Sequence, residues 1–245
     1  MTTKPKVLII GAGIGGLTAA IALRHAGFGV EVFERAAELK EVGAGIALSA
    51  NAIRVLKHLG LMQQVVSRGT VIAAAVSYTS KGRTLSNLPT NLADVPTVCL
   101  HRAELQQTLF SALPSACVHL GEQFVRLEAT NNGVTAHFST GRTASGDVLI
   151  GADGPRSRVR AQLVGDGEPA YRGYQCWRGA CDLPAGEVLT ETLGPGLRLG
   201  VVPIGRRGPP GGALRTKLSL LMTNRAKPRS NCFTGWGTGT SQSRK

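Results

Sequence analysis

The sequence predicts an α/β fold, an open parallel sheet with a β-meander inserted before its last core strand and the start of a second, mixed sheet behind it. Three observations predict this. Val7 to Ile10 form an apolar run that ends in the glycine turn GAGIGG, followed by a helical segment and then a second strand. Between Glu122 and Ile150 the apolar spacing changes to alternation, broken by the turn triplets NNG and TGR. The last of these strands, DVLI, runs into another glycine turn, GADG, at residues 151 to 154. A short apolar run bounded by glycine is the pattern of a strand covered on both faces of a parallel sheet.

Each element has a local reason. Leu17 to Arg24 continue the first turn as a helix closed by Gly27, and Val30, Val32 and Phe33 make the second strand, ending at Glu34. Ser49 stands where a helix cap is expected, ahead of Ile53, Leu56 and Leu59 on one face, and Gly60 ends that helix. Val71 to Val76 read as one strand-like apolar piece. Ala103 to Leu113 form another helix, with Leu105, Leu109 and Leu113 spaced by four and Pro114 behind them. FVRLEA, VTAHF and DVLI supply the meander and the final core strand.

Composition narrows the class. A chain of 245 residues with 42% apolar content can bury a core. No apolar run approaches the roughly 18 residues of a membrane span, and MTTKPK leads too quickly into glycine for a signal peptide, so a cytoplasmic location is expected. Cys99, Cys117, Cys176, Cys181 and Cys232 show neither paired nor zinc-like spacing, so reduced structural thiols and no metal are expected. The net charge of +13 is uneven: residues 1 to 204 hold 19 basic and all 15 acidic residues, whereas residues 205 to 245 hold nine basic residues and no acid. Basicity therefore belongs mainly to a Gly/Pro-rich tail, 206 to 245, in which only Leu218 to Met222 is apolar and little independent structure is expected. Phe233 and Trp236 stand apart from the arginines, which argues against nucleic-acid binding.

The first turn carries chemistry. In GxGxxG, here Gly11, Gly13 and Gly16, the first glycine permits the tight turn, the second lets backbone approach a pyrophosphate, and the third lets helix and strand pack closely. A helix N-terminus then offers unpaired N–H groups to phosphate. Glu34, 18 residues past Gly16 at a strand end, can accept hydrogen bonds from ribose hydroxyls. Together these point to a Rossmann-type dinucleotide site. Arg35 is open to three readings: contact with the adenosine, selection of a 2′-phosphate, or a solvated surface arginine.

GADGPRSRVR, with Asp153, Gly154, Ser157 and Arg160 in the order DG, two residues, Ser, two residues, Arg, resembles the DG motif of the FAD-dependent aromatic hydroxylases, single-component flavoprotein monooxygenases of the salicylate-hydroxylase-like branch. Other segments resemble that family in order and spacing: VLIIGAGIGGLTAAIALRHAGFGVEVFER, EVGAGIALSANAIRVLKHLGL, HRAELQQTL and YRGYQCWRG. The resemblance covers roughly residues 5 to 205.

The resemblance implies an FAD-binding domain over residues 1–170 and the start of a substrate-binding sheet over 171–205. It implies that Gly11, Gly13, Gly15, Gly16 and Glu34 hold the ADP half of FAD, that Arg102 reaches the flavin side, that Val125 lies against the adenine, and that Asp153 and Gly154 fix a turn near the pyrophosphate. NADH or NADPH would visit as a transient co-substrate, which fits the single convincing GxGxxG. The implied reaction transfers oxygen from O₂ to a small aromatic, salicylate-like substrate, with no membrane and no nucleic acid involved. No catalytic residue is assigned: His101 and His119 read as structural, and Trp177 more as core than as pocket wall. The sequence departs from the family in one respect, since neither Gly146-Asp147 nor Gly165-Asp166 continues into the expected downstream Gly-Asp-Ala-Ala-His. A C-terminally truncated member is therefore expected, with residues 206–245 irregular or read out of frame and one edge of the second sheet bare unless the tail covers it. Three functions follow in order: an impaired hydroxylase, a non-catalytic FAD-binding fragment or pseudoenzyme, and, last, a basic anion- or nucleic-acid-binding protein acting through the tail.

Overall fold

The computed structural model describes residues 4–39, 45–165, 169–173, 175–183, 186–205 and 216–224. Its centre is β1 (Lys6–Ile10), whose four apolar residues are all buried. The glycine turn leads into α1 (Ile14–His25), and Gly27, at φ +84°, turns the chain into β2 (Gly29–Glu34). The helix starts three residues ahead of the predicted Leu17, because Gly15 and Gly16 belong to its first turn.

The chain then runs through β3 (Gly45–Leu48), α2 (Ala50–His58), α3 (Met62–Arg68), β4 (Thr70–Ile72), β5 (Ala74–Thr79), β6 (Thr84–Pro89) and β7 (Thr97–His101). It continues with α4 (Arg102–Ser111), β8 (Val118–Leu120), the meander β9 (Phe124–Thr130), β10 (Gly133–Phe138) and β11 (Thr143–Gly146), then β12 (Val148–Gly151) and α5 (Arg158–Val164). Four strands, β13 (Gln175–Leu183), β14 (Val188–Gly194), β15 (Leu197–Pro203) and β16 (Thr216–Asn224), complete the described chain.

The principal sheet is parallel throughout, in the order β12-β1-β2-β8. Ile10 is aligned with both Phe33 and Gly151, so the turns after β1, β2 and β12 emerge at one carboxyl edge. Such an edge is where open α/β sheets bind ligands. One buried cluster joins Leu17 of α1, Ile53 of α2 and Leu105 and Leu109 of α4 with Val7, Ile9, Val30 and Val32 of β1 and β2, while the meander packs Phe124, Ala136 and Phe138 with Leu8, Ile10 and Phe33 in another. Truncating a fully buried member such as Phe33 or Leu109 to alanine costs about 2 to 5 kcal/mol.

Several expectations change. Ser49 is the residue ahead of α2, yet its side chain makes no capping bond. The piece Val71 to Val76 is two strands, not one: the chain leaves the small antiparallel sheet β3-β7-β4 and enters a second, six-stranded sheet. At the handover, Ala73 pairs with Glu187 and Thr90. That mixed sheet has the order β13-β16-β15-β14-β5-β6, with β14 parallel to β5. Residues 74–89 therefore share the sheet expected to begin only at residue 171. Within the tail expected to lack structure, Thr216–Asn224 is a strand paired with both β13 and β15, so the edge of β15 is covered. Long-range pairing on both sides organises a segment whose own pattern is weak. Residues 206–215 and 225–245 lie outside the described residues. Trp177, expected in a core, is 43% exposed on the edge strand β13.

Among the described residues no helix is long and apolar enough to cross a membrane, and no cluster of His, Cys, Asp or Glu could hold a metal. Cys99, Cys117 and Cys176 are free thiols. Burial raises the Cys99 thiol to about 12, so it is protonated and inert at neutral pH.

Candidate functional site

A cleft of about 310 Å³ opens at the carboxyl edge of the parallel sheet. Its floor is Ile10 at the end of β1 with Gly11 and Gly13 of the first turn, and its sides are the end of β2 (Phe33, Glu34, Arg35), residues 122–124 leading into the meander, and the turn 152–156 after β12. Arg102 closes it from α4. A neighbouring hollow of about 520 Å³ shares Gly13, Glu34 and Arg102 and extends over Ala36, Glu38 and Gln106.

The glycines of the turn divide into two kinds. A Cβ on Gly11 would stand 2.4 Å from the Ala152 carbonyl oxygen, at φ +106°, and one on Gly16 would stand 2.0 Å from the Gly11 carbonyl oxygen. Backbone packing alone demands glycine at these two positions. Gly13 and Gly15 have ordinary φ, and a Cβ on either would meet nothing within 4 Å. Protein packing leaves them open, and Gly13 faces the cleft at the N-terminus of α1, where no side chain caps the helix. An uncapped helix start beneath bare glycine is a cradle for phosphate.

Glu34 is fixed rather than free: Oε2 accepts from the Ala12 N–H at 2.8 Å and Oε1 from the Ala36 N–H at 3.0 Å. Each oxygen keeps a lone pair for a ligand hydroxyl. Arg35 and Arg102 are exposed at the cleft, and neither guanidinium has a partner among the described residues. Helix α4, which carries Arg102, is capped by His101, whose Nδ1 accepts from the Ala103 N–H at 3.3 Å. That is the structural role expected of His101. One turn further on, Gln106 donates to the Ala12 carbonyl at 2.8 Å and ties α4 to the glycine turn, a link no local pattern announces.

Asp153 organises the other side. Its Oδ1 accepts from Ser157 Oγ at 2.5 Å, and its Oδ2 from the N–H groups of Arg158 at 2.7 Å and Val159 at 3.4 Å. Ser157 Oγ in turn accepts from the Arg160 N–H, capping α5. The carboxylate thus holds the turn 153–157 open toward the cleft, with Gly154 at φ +86° on its rim. Two of the adjacent arginines donate to backbone, Arg158 to the Phe124 carbonyl and Arg160 to the Pro155 carbonyl. Val125 is half-exposed on β9, and the wall itself is made by Gln123 and Phe124. Gly146-Asp147 lies at the opposite end of the sheet, where Asp147 accepts from the Lys6 N–H.

Behind the cleft, Phe33 stacks on His119 at 4.9 Å and on Phe138 at 4.5 Å, with the Arg142 guanidinium 5.4 Å from its ring centre. Burial, then Arg142, lowers the His119 pKa, while Glu31 and Glu122 act in the opposite sense and Lys6 adds to the lowering. The folded state therefore resists protonation, and the stability this confers is complete above the unfolded pKa of about 6.5 and is lost as pH falls through the lower folded value. His119→Phe keeps the stack and removes the proton site. Its melting temperature is expected to fall less than the wild type's between pH 7.5 and 5.5, as thermal melts would record; parallel curves would refute this.

A parallel sheet with a glycine-lined helix start, a strand-end carboxylate and a second acidic turn at the same edge defines a dinucleotide-binding domain of the flavoprotein kind. The chain belongs to the FAD binding domain family, whose pattern matches residues 4–172. It is 40% identical over 212 residues to the aurachin C monooxygenase/isomerase of Stigmatella aurantiaca, an alignment covering 84% of this chain and 55% of that protein. It is 34% identical to the FAD-dependent urate hydroxylase of Klebsiella pneumoniae, covering 81% and 54%. Among solved structures it resembles Klebsiella pneumoniae HpxO complexed with FAD and uric acid, at 27% identity and a TM-score of 0.76, covering 89% of this chain and 56% of that one. The chain spans about half the length of the curated relatives it matches.

Proposed function

We propose that this chain holds FAD and supplies the cofactor half of a monooxygenase that hydroxylates a small aromatic ring with NADH or NADPH and O₂. The observation that carries this is Gly13, an open glycine at an uncapped helix start that lines a cleft surrounded by Glu34, Arg102 and the Asp153 turn, with Gly15 equally open in the first turn of the same helix. Packing explains Gly11 and Gly16 but not these two.

In this reading the N–H groups of the first turn of α1 hold the pyrophosphate, and Glu34, already oriented by Ala12 and Ala36, takes the ribose hydroxyls. Arg102 and Arg35 contribute positive charge, Arg102 on the flavin side and Arg35 toward the adenosine, with Val125 beside the base. Asp153 and Gly154 shape the turn that faces the pyrophosphate. FAD, when bound, supplies the redox chemistry that delivers oxygen to the ring. The protein's part is to orient the two and exclude water.

The relatives act on chemically different rings, including aurachin C, 3-amino-4-hydroxybenzoate, 6-hydroxynicotinate and urate. The substrate proposed is accordingly an electron-rich aromatic or heteroaromatic molecule, of which salicylate-like acids are one group. A second reading is FAD held by this chain without turnover. The test is NADH and NADPH oxidation by the flavin-loaded chain, with and without such rings, and mass spectrometry of the product. Substrate-stimulated oxidation with a gain of one oxygen atom supports the hydroxylase. Bound flavin with no stimulation supports the second reading.

A further inference from the structure

We infer that the chain pairs with a second copy of itself through β13, the two strands running antiparallel about a two-fold axis at Ala180, so that two six-stranded sheets join edge to edge. A free strand edge offers unpaired N–H and C=O groups to any other strand, and folded proteins blunt such edges with short strands, bulges, proline or a covering element. Among the described residues, the edge strands longer than four residues are β6, β9 and β13. The first two are defended. β6 has six residues, meets β5 through a bulge between Ser77 and Tyr78, and ends at Pro89. β9 is covered by α5: the Gln162 amide accepts from the Leu127 N–H at 2.9 Å and donates to the Leu127 carbonyl at 2.8 Å, while Arg158 donates to the Phe124 carbonyl.

β13 carries none of these devices. Its nine residues pair with β16 without a register shift, and no strand lies on its other side among the described residues. Cys176 to Ala180 are exposed, Trp177 among them. The strand's own charges select the occupant. In an antiparallel pair the N–H and C=O groups point outward at alternate residues, so a two-fold axis must pass through a residue and not between two. An axis at Ala180 sets Arg178 at the position opposite Asp182 of the partner subunit, and symmetry repeats the match. An axis at Arg178 would set that arginine opposite itself, and one at Gly179 would set it opposite the partner's Ala180. Opposite charges at facing positions stabilise a strand pair, and like charges there destabilise it. Of these registers, the one at Ala180 alone gains two charge pairs.

The test is sedimentation of the full chain over a concentration series, which is expected to show a monomer–dimer equilibrium. Arg178→Asp and Asp182→Arg each set like charges opposite one another, and each is expected to raise the dimer dissociation constant about tenfold or more. Mixed together, the two variants match at both positions and are expected to dimerise as the wild type does. Ala180→Cys, once oxidised, is expected to form a disulfide joining position 180 of the two copies, because facing Cα atoms in either kind of antiparallel pair are close enough to bridge. Gly179→Cys, one position off the axis, is expected to form no such link. Peptide mass spectrometry reads both, and it keeps the test decisive if a charge reversal fails to fold. A wild type that stays monomeric, an assembly that grows beyond the dimer, single reversals that dimerise like the wild type, or a link at position 179 in place of 180 each overturn the assignment.

Discussion

Gly16→Ala is expected to cost about 3 kcal/mol or more and to lower the melting temperature by roughly 6 to 12 °C. The added Cβ would stand 2.0 Å from the Gly11 carbonyl oxygen and 3.3 Å from the Ala152 Cβ, so α1 must be pushed away from β1 and β12. Neither contact is the end of a flexible side chain, which closes the inexpensive routes of relief. Because the same shift displaces the helix start, FAD binding is lost along with stability. Gly13→Ala is the informative control. Its Cβ meets nothing within 4 Å, and Gly13 has φ −71°, so folding should change by less than about 0.5 kcal/mol while FAD affinity falls about tenfold or more. Thermal melts and flavin titrations of the two variants separate the packing glycine from the ligand glycine. A Gly16→Ala protein that melts like the wild type, or a Gly13→Ala protein that binds FAD as tightly, would contradict the division.

Asp153→Asn should have the second largest effect. The carboxylate accepts from one hydroxyl and two backbone N–H groups, and an amide can present only one oxygen to them. Its NH₂ must then face either the two N–H groups or the Ser157 hydroxyl, which would have to turn from donor to acceptor, and the charge that strengthens all three bonds is lost. The expected cost is about 1 to 3 kcal/mol. Flavin affinity should fall as well, because Gly154, Pro155 and Arg156 line the cleft on the turn that Asp153 holds. Ser157→Ala removes only part of this network, and its cost should be nearer 1 kcal/mol. Melting curves and FAD titration check both variants, and a stable Asp153→Asn protein with normal flavin affinity would refute the role given to the turn.

Much of this was readable in sequence because the informative interactions are local. The apolar run, glycine turn, helix and strand from Val7 to Glu34 follow one another without interruption, and each boundary is marked by a residue whose conformation the turn requires. The meander was equally legible, since NNG and TGR separate its alternating strands. Distance in sequence hid the rest. Nothing in AAVSYT says that β5 will lie beside β14, more than 100 residues away, or that the apolar piece containing it divides at Ala73 between two sheets. The strand Thr216–Asn224 is organised by partners on both sides rather than by its own pattern. At the site, the turn glycines and Glu34 announced themselves by spacing and Arg102 and Asp153 by the family resemblance, whereas Gln106, Glu122 and Phe124 enter it only through packing. Ser49 shows the converse limit, a residue of the right type at the right place whose hydroxyl caps nothing.

The most direct test is an equilibrium titration of the purified, flavin-free chain with FAD and, in parallel, with FMN, which lacks the adenylate half. Saturable one-to-one binding of FAD is expected, with FMN binding weaker by at least tenfold, because the cleft is built around Gly13, Glu34 and the Asp153 turn. Absence of FAD binding, or FMN binding as tight as FAD, would contradict it.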